Sequence, residues 1–399
     1  METMEVKKAN LNKDEEQQAH LKLWKESGCK GTSIAVTGLG KTRMGLLAIA
    51  ETLEDHPERR ALVIVPTENL RDNEWINEFY SWSLTHLLDQ VDFECIQTAY
   101  KMVNKHWNVV VVDEIHTTLS PEYRKFYKNN TWNRIYGLTA TIPENEEYKA
   151  ILKRLAPVIY TTNTKDALNL GLISPYKVFN LGVSFTSEEA TAYNKVDQMY
   201  NAAVAKLGGV FEAFKNATIY RNRGDATQKK WANIFYVMMQ KRKQLCYNAH
   251  QKVSLIKQIV EKFPDRKTLI FSESIDFADS IQEVIGEECV TFHSKLKAAD
   301  KKTVLTAFSS GYKRIISSVK ALNVGFNVPD CSLGICAAGS SKVLDNIQRR
   351  GRTVRLQEGK TAIYVNLYVK GSQEVKWVRK RTQSDFNTQW VDSINDIKL

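Results

Sequence analysis

The sequence has few features that would place it in a membrane, outside the cell or around a structural metal. Its apolar runs are strand-sized, as at Val109–Val112, whereas a membrane-spanning helix needs ~20 apolar residues. The first 18 residues are charged and polar and do not form the apolar core of a secretory signal. The six cysteines stand apart, with Cys331 and Cys336 closest and no CxxC pair. We therefore expect a cytoplasmic protein with reduced thiols that is neither secreted nor membrane-bound.

Size and positive charge are what the sequence does have. Its 399 residues suffice for two ordinary domains, and its 43% hydrophobic and 25% charged residues are typical of globular chains. The formal net charge is +11. An excess of Lys and Arg favours a polyanionic partner such as nucleic acid, through phosphate contacts and counterion release. A solvated basic surface explains the same composition equally well.

Apolar, strand-like runs alternate with helical patterns towards both ends of the chain. This alternation predicts an α/β fold with parallel sheets covered by helices. The predicted strands are 33–36, 61–65, 108–112, 134–138, 268–271, 289–292, 314–317, 333–336 and 361–367. Residues 1–16 are predicted to be a charged lead-in, followed by helices near 15–26, 44–53 and 75–82.

The middle of the chain loses the strand pattern and becomes basic. Between Ser187 and Lys252 there are eleven Lys and Arg against five Asp and Glu. We predict a lobe at 1–172, a crossover and basic helical insert at 173–250, and a second lobe at 251–399 ending in a helix. Two clusters in the insert, Lys229–Trp231 and Lys241–Lys243, are basic, and the first of them includes an aromatic residue. They would contact phosphates and stack on bases, or else form the solvated face of an amphipathic hairpin.

A glycine-containing loop joins the first predicted strand to the next helix. Glycines let backbone N–H groups turn onto a phosphate, and the helix N-terminus adds positive potential. A lysine charge and a threonine hydroxyl for Mg²⁺ complete such a loop. The residues predicted to bind ATP here are Thr37, Gly38, Leu39, Gly40, Lys41 and Thr42. Because Ala35 replaces the first glycine of the general pattern, the motif alone also fits a strand-to-helix turn that binds nothing.

Two adjacent carboxylates follow the apolar strand at 108–112. The carboxyl ends of strands in open α/β sheets are where ligands bind. At that position Asp113 would hold Mg²⁺ together with Thr42, and Glu114 would polarise the water that attacks ATP. An apolar strand ending in Asp-Glu is common, so the pair gains its meaning from the loop that precedes it.

Together these residues resemble superfamily 2 helicases of the DExH type, over nearly the whole chain. Asp113–His116 is similar to motif II, Thr139–Thr141 to motif III and Gln348–Arg355 to motif VI. The pattern is closest to XPB-like and phage branch-migration helicases. The resemblance implies two tandem RecA-like lobes with the helical insert between them in sequence.

The resemblance also implies roles for single residues. Gln17 would read adenine, although Asp14 lies where relatives often have Arg, and Asn327 replaces the usual Asp of motif V. Arg352 and Arg355 would be arginine fingers supplied across the cleft by the second lobe. The catalytic set is then Lys41, Asp113, Glu114, Gln348, Arg352 and Arg355. The residues implied for coupling are His116, Thr139, Thr141 and Gly325, and those for nucleic-acid contact are Thr67, Thr98, Ser272, Lys295 and Ser318.

The implied function is an ATP- and Mg²⁺-dependent DNA helicase or duplex translocase. An RNA helicase with the same core, or the motor subunit of a restriction or defence complex, remains open as an alternative. DNA is favoured over RNA as the partner, with replication, repair or defence proteins as further partners. If the chain is phage-encoded, it would act in the host-cell cytoplasm.

Overall fold

The computed structural model describes residues 4–143, 145–319, 331–340, 349, 361–383 and 385–399, with side chains from residue 12 onward. Contacts divide the chain into two compact units, the first built mainly from residues up to Pro175 and the second mainly from Tyr176 onward. Each unit contains one β-sheet flanked by helices. Among the described residues, no helix has both the length and the apolar character that a membrane span requires.

The first unit contains a six-stranded sheet in the order β3-β2-β4-β5-β1-β6. All five neighbouring strand pairs run parallel. Its strands are β1 Lys30–Ala35, β2 Ala61–Val65, β3 Val91–Cys95, β4 His106–Asp113, β5 Thr131–Thr139 and β6 Val158–Thr162. The central strands β2 and β4 are continuous apolar runs because helices cover both faces of the sheet. The α/β prediction is confirmed.

Seven α-helices are described in the first unit. They are α1 Met4–Glu26, α2 Lys41–Leu53, α3 Trp75–Ser81, α4 Ile96–Ala99, α5 Lys125–Asn129, α6 Glu146–Leu155 and α7 Thr164–Asn169. The expectation of a charged lead-in at residues 1–16 is wrong from Met4 onward, where α1 already begins. This segment is rich in Lys, Glu, Gln and Ala, which favour helix even without an apolar stripe.

Helix α2 packs unusually close to the sheet because Gly45 has no side chain. A Cβ at Gly45 would lie 2.5 Å from Cη2 of Trp75 and 3.0 Å from Cγ1 of Val111. The space that a side chain would take is filled by the Trp75 ring. The start of α2, and with it the phosphate loop, is thereby fixed against β4.

The second unit contains a seven-stranded sheet in the order β13-β7-β12-β11-β8-β10-β9. Its strands are β7 Tyr176–Val183, β8 Thr268–Ser272, β9 Cys289–His293, β10 Ile315–Val319, β11 Leu333–Cys336, β12 Ala362–Val369 and β13 Thr388–Val391. The pairs β13–β7, β12–β11, β11–β8, β8–β10 and β10–β9 are parallel. Strand β7 precedes the helical insert in sequence, so the second sheet begins before residue 251.

Seven helices are described in the second unit, and three of them form the insert. They are α8 Ser187–Lys206, α9 Ala213–Arg223, α10 Ala226–Tyr247, α11 Gln251–Lys262, α12 Ile275–Ile285, α13 Ala298–Ser309 and α14 Gln373–Thr382. Turns at Gly208-Gly209 and Gly224 separate α8, α9 and α10. The insert has a core of its own in which Val204, Leu207 and Phe235 are buried together.

Candidate nucleotide site and nucleic-acid interface

The loop between β1 and α2 has the backbone shape of a phosphate cradle. Gly38 and Gly40 have φ angles of 99° and 91°, which glycine adopts at little cost. Gly40 directly precedes Lys41, the first residue of α2, so the free N–H groups of the helix start at the loop. The hydroxyl of Thr37 is buried and has no hydrogen-bond partner among the described residues. An anion held by the loop and helix N-terminus fits this arrangement.

The predicted carboxylates lie at the carboxyl end of β4, beside this loop. The Lys41 Nζ is 3.7 Å from Glu114 Oε1, so the phosphate-loop lysine faces the carboxylate predicted to activate water. The indole Nε1 of Trp75 donates to Asp113 Oδ2 at 3.3 Å. Glu114 itself has a φ of 50°, a left-handed conformation that is uncommon for a residue with a side chain. The backbone turns sharply at Glu114, so it does not follow the line of the strand.

Burial makes Asp113 an electrostatically costly carboxylate. Burial is the largest cause, and together with the neighbouring Glu114 carboxylate it raises the pKa of Asp113 to about 7, against the opposing effect of Lys41. A divalent cation favours the ionised form of a carboxylate that is costly to leave charged alone. The donor set of Asp113 and the Thr42 hydroxyl is of the oxygen type that Mg²⁺ prefers. The residues present therefore fit a magnesium nucleotide.

A hydrogen-bonded chain links Glu114 to the predicted motif III. His116 Nδ1 lies 2.9 Å from Thr139 Oγ1 and 3.4 Å from Glu114 Oε2. The Thr139 hydroxyl also donates to the carbonyl oxygen of Thr141 at 2.9 Å. Burial lowers the pKa of His116, and its Nε2 has no partner among the described residues. The structure thus brings together three of the residues predicted to couple ATP to nucleic acid.

Gln17 also lies at the phosphate loop, where it contacts a residue that sequence reasoning missed. Its Nε2 donates to the carbonyl oxygen of Leu39 at 2.6 Å. Its Oε1 accepts from Nη1 of Arg43 at 2.5 Å. Arg43 directly follows Gly-Lys-Thr in the sequence, and this position was the only signal that marked it.

The residues predicted to contact nucleic acid differ in exposure. Thr98 and Lys295 are exposed, and the Thr67 hydroxyl is buried without a partner among the described residues. Ser272 and Ser318 are only 0% and 1% exposed, and Ser272 Oγ donates to the Ser318 carbonyl at 3.2 Å. The two serine hydroxyls therefore do not lie on the surface of the second unit.

Several predicted residues fall outside the part of the chain that the structure describes. These are Gly325, Asn327, Gln348, Arg352 and Arg355. Their roles in motifs V and VI stay predictions.

The insert presents exposed basic charge, because four of its five acidic side chains are already engaged. Glu189 completes the capping box of α8, Asp225 caps α10, and Asp197 pairs with Arg242 at 2.6 Å. Glu212 lies 3.6 Å from Lys215. By contrast, many cations of the insert are exposed: Lys195, Lys206, Arg221, Arg223, Lys229, Lys230 and Lys241. The insert is therefore a positively charged surface.

The turn between α8 and α9 carries two exposed apolar side chains, Val210 and Phe211, which form an apolar tip. Val210 is 81% exposed and Phe211 is 97% exposed. Trp231, which the sequence suggested as a stacking residue, instead packs against the core of the insert. The aromatic side chain most available for stacking is thus Phe211, which follows the paired glycines 208 and 209.

The chain is similar to helicase families in sequence and in fold. Residues 10–144 match the family described as "Type III restriction enzyme, res subunit", and residues 251–357 match the helicase conserved C-terminal domain. It is 22% identical over 367 residues to "DNA 3'-5' translocase XPB2" of Sulfurisphaera tokodaii, covering 89% of this chain and 81% of that protein. It is 20% identical over 281 residues to "DNA 3'-5' helicase XPB" of Mycobacterium tuberculosis, covering 70% of this chain and 43% of that protein.

A solved structure shares the two-lobed fold. S. cerevisiae Dbp5 bound to RNA and ADP BeF3 superposes with a TM-score of 0.60 at 12% identity, covering 94% of this chain and 89% of that one. At this identity the likeness is one of fold. The two parallel-sheet units are RecA-like lobes.

Proposed function

We propose that this chain, which resembles the XPB-like superfamily 2 helicases in sequence and in fold, is an ATP-driven DNA translocase or helicase. It would convert ATP hydrolysis into movement on DNA, in unwinding, branch migration or repair. The observation that carries the proposal is the convergence of Lys41, Asp113 and Glu114 at the phosphate loop. These residues come from two parts of the chain separated by some seventy residues, and the sheet brings their charged groups together.

Each residue of this site has a chemical task in hydrolysis. The loop N–H groups and Lys41 would bind the phosphates, and Thr42 and Asp113 would hold Mg²⁺, which neutralises charge on the phosphate oxygens. Glu114 would orient the attacking water and take its proton. Lys41 and Glu114 form an ion pair at 3.7 Å, and a bound γ-phosphate would compete with Glu114 for the lysine. Binding of ATP would thus release Glu114 to face water.

The series of contacts from Glu114 through His116 and Thr139 to Thr141 would transmit this change to the surface. A shift of the Glu114 carboxylate would alter its 3.4 Å contact with His116 Nδ1, and His116 in turn contacts the Thr139 hydroxyl. Coupling of this kind needs a contiguous network with two arrangements. His116 would be a positioning residue that links hydrolysis to nucleic-acid grip.

DNA is favoured over RNA because the relatives from S. tokodaii and M. tuberculosis that match in sequence are DNA enzymes. The exposed cations of the insert would contact the sugar-phosphate backbone without reading sequence. Thr67, Thr98 and Lys295 would add contacts from the two lobes. An RNA helicase is the second candidate, supported only at the level of fold by the likeness to Dbp5 bound to RNA.

A panel of nucleic acids tests the proposal. Magnesium-dependent ATP hydrolysis by the full chain would be measured with single-stranded DNA, duplex DNA, forked DNA, a four-way junction and RNA. Unwinding and branch migration would be followed in the same samples. We expect stimulation by DNA, strongest with duplex-containing substrates. Stimulation by RNA alone would contradict the proposal, and activity that requires a copurifying nuclease or recognition subunit would favour the restriction-motor alternative.

A further inference from the structure

We infer that Arg43 is a positioning residue for base selection, held by Asp14 and Trp82 so that it fixes the orientation of the Gln17 carboxamide. The inference rests on the proposed ATPase function and assigns specificity within it. Asp14 and Gln17 lie on α1, Arg43 lies on α2, and Trp82 follows α3. Three helices of the first unit therefore converge on one guanidinium group.

Arg43 is held from three directions. One Nη donates to Gln17 Oε1 at 2.5 Å, and the other is paired with the Asp14 carboxylate. Its Cζ lies 3.8 Å from the centroid of the Trp82 ring, so the planar group stacks on the indole. The Trp82 ring is itself fixed, since its Nε1 donates to Glu78 at 3.1 Å. A guanidinium with these contacts has little freedom to turn.

Arg43 determines which way the Gln17 amide faces. The two ends of a glutamine amide look alike in shape, and the surrounding hydrogen bonds decide its orientation. Arginine has only donors, so it must face the amide oxygen, and Leu39 offers a carbonyl, which must face the amide nitrogen. Both contacts demand the same orientation. Gln17 is only 4% exposed, and its amide is locked at both ends.

A locked amide can distinguish bases. After these contacts the oxygen keeps one acceptor position and the nitrogen keeps one N–H donor. A side-by-side acceptor and donor matches the N6 amine and N7 of adenine. Guanine presents two acceptors, O6 and N7, on the same edge, so the amide oxygen would meet an acceptor. An amide that is free to flip would lose part of this discrimination.

Nucleotide binding tests the inference directly, apart from hydrolysis. Displacement of a fluorescent ATP analogue by ATP and by GTP would be measured on the full chain in Mg²⁺. For Arg43→Ala we expect ATP binding to weaken about tenfold, the loss of roughly one net hydrogen bond, with GTP binding within about twofold of wild type. At saturating ATP the DNA-stimulated kcat should stay within about twofold. Arg43→Lys, which cannot serve Gln17 and Asp14 in one plane, should be intermediate.

A double-mutant comparison separates positioning from direct contact. If Arg43 acts through Gln17, the Gln17→Ala/Arg43→Ala variant should bind ATP no more weakly than Gln17→Ala alone. Additive losses, or equal losses for ATP and GTP, would overturn the inference. Arg60→Ala is the matched control, because it removes an ion pair with Asp92 at the amino end of β2, away from the loop. A wild-type chain that binds no nucleoside triphosphate would instead refute the proposed function itself.

Discussion

At the scale of single residues, the proposed chemistry depends on the end of β4. Asp113 and Glu114 are neighbours in sequence, but their surroundings differ. Burial dominates at Asp113 and raises its pKa to about 7, whereas Glu114 turns towards Lys41 through a left-handed backbone. Two adjacent carboxylates can thus take different roles, one towards a metal and one towards water.

Removing the charge of Glu114 or of Lys41 should stop ATP hydrolysis, but for different reasons. Glu114→Gln should lower kcat by about 10²–10⁴-fold, because general-base catalysis contributes on that order, while nucleotide binding persists. Lys41→Ala should lose both hydrolysis and most phosphate affinity. Steady-state hydrolysis and analogue binding would distinguish the two. Glu146→Gln, an exposed carboxylate on α6, is the control, and near-normal turnover by Glu114→Gln would contradict the assigned role.

A buried histidine should make the first unit sensitive to acid. His20 is fully buried, and burial lowers its pKa to about 4. Because the Thr162 hydroxyl donates to Glu16, His20 Nε2 is the protonated nitrogen that donates to Thr162. In the unfolded chain the His20 ring takes up its second proton near pH 6.5, whereas in the folded chain it does so only near pH 4. Stability present above pH 6.5 is therefore lost as the pH falls through this window.

The loss of stability that His20 causes at acid pH should be measurable as a decrease in the free energy of unfolding. The shift of the His20 pKa from 6.5 to about 4 corresponds to a loss of about 3 kcal/mol in the free energy of unfolding once the pH has fallen through the whole window. His20→Gln keeps a donor for Thr162 but does not titrate, so its stability should fall less between pH 7 and pH 4.5. Urea unfolding of both proteins at each pH would test this. Equal pH dependence of the two proteins would show that His20 is not the responsible group.

At the scale of elements, the helical insert joins a structural core to an open surface. Four of its five acidic residues cap helices or form ion pairs, and many of its lysines and arginines are exposed. Its aromatic residues are mostly packed inside, except Phe211 at the turn between α8 and α9 and Phe214 at the start of α9. The paired glycines 208 and 209, both with positive φ, make this turn tight and project Phe211 outward.

Replacing the exposed aromatic residue should weaken DNA engagement and spare the ATP site. Base–aromatic stacking contributes about 1–3 kcal/mol per base, so Phe211→Ala should raise the DNA concentration for half-maximal stimulation by about tenfold. Basal hydrolysis should not change, because Phe211 belongs to the insert. Tyr312→Ala is the control, since Tyr312 is also an exposed aromatic residue, at 78%, but lies outside the insert. Equal effects from both variants would argue against a specific role for the tip.

At the scale of the whole molecule, the predicted motor depends on residues supplied by both lobes. Lys41, Asp113 and Glu114 belong to the first unit, whereas motif VI lies late in the sequence. The resemblance assigns Arg352 and Arg355 to the transition state of phosphoryl transfer. Such arginines stabilise charge that develops only during transfer.

Arg352→Ala should therefore abolish hydrolysis while ATP binding remains largely intact. The expected loss in kcat is about 10³-fold or more, since an arginine finger contributes on that order. Hydrolysis with DNA and displacement of a fluorescent ATP analogue would be measured together. Arg314→Ala, which removes an ion pair with Glu288, controls for lost charge. Full turnover by the Arg352 variant would disprove the finger assignment.

The sequence by itself determined the features that local pattern encodes. Central strands such as β2 and β4 are continuous apolar runs, and the phosphate loop has a glycine signature, so both were predictable. The strands β3, β6, β7 and β13 were missed. Strands β3, β6 and β13 lie at the edges of their sheets, where fewer neighbours require less apolar sequence, whereas β7 is an internal strand of the second sheet.

Only the tertiary structure decided which distant residues meet. It buried Ser272 and Ser318, which sequence position had suggested for DNA contact. It also brought Arg43 to Gln17, a residue 26 positions earlier on another helix. Contacts of this kind follow from the packing of helices on the sheet, and the patterns along the chain do not record them. The sequence thus predicted a nucleotide site, and the fold showed how Gln17 is held beside the predicted phosphate loop.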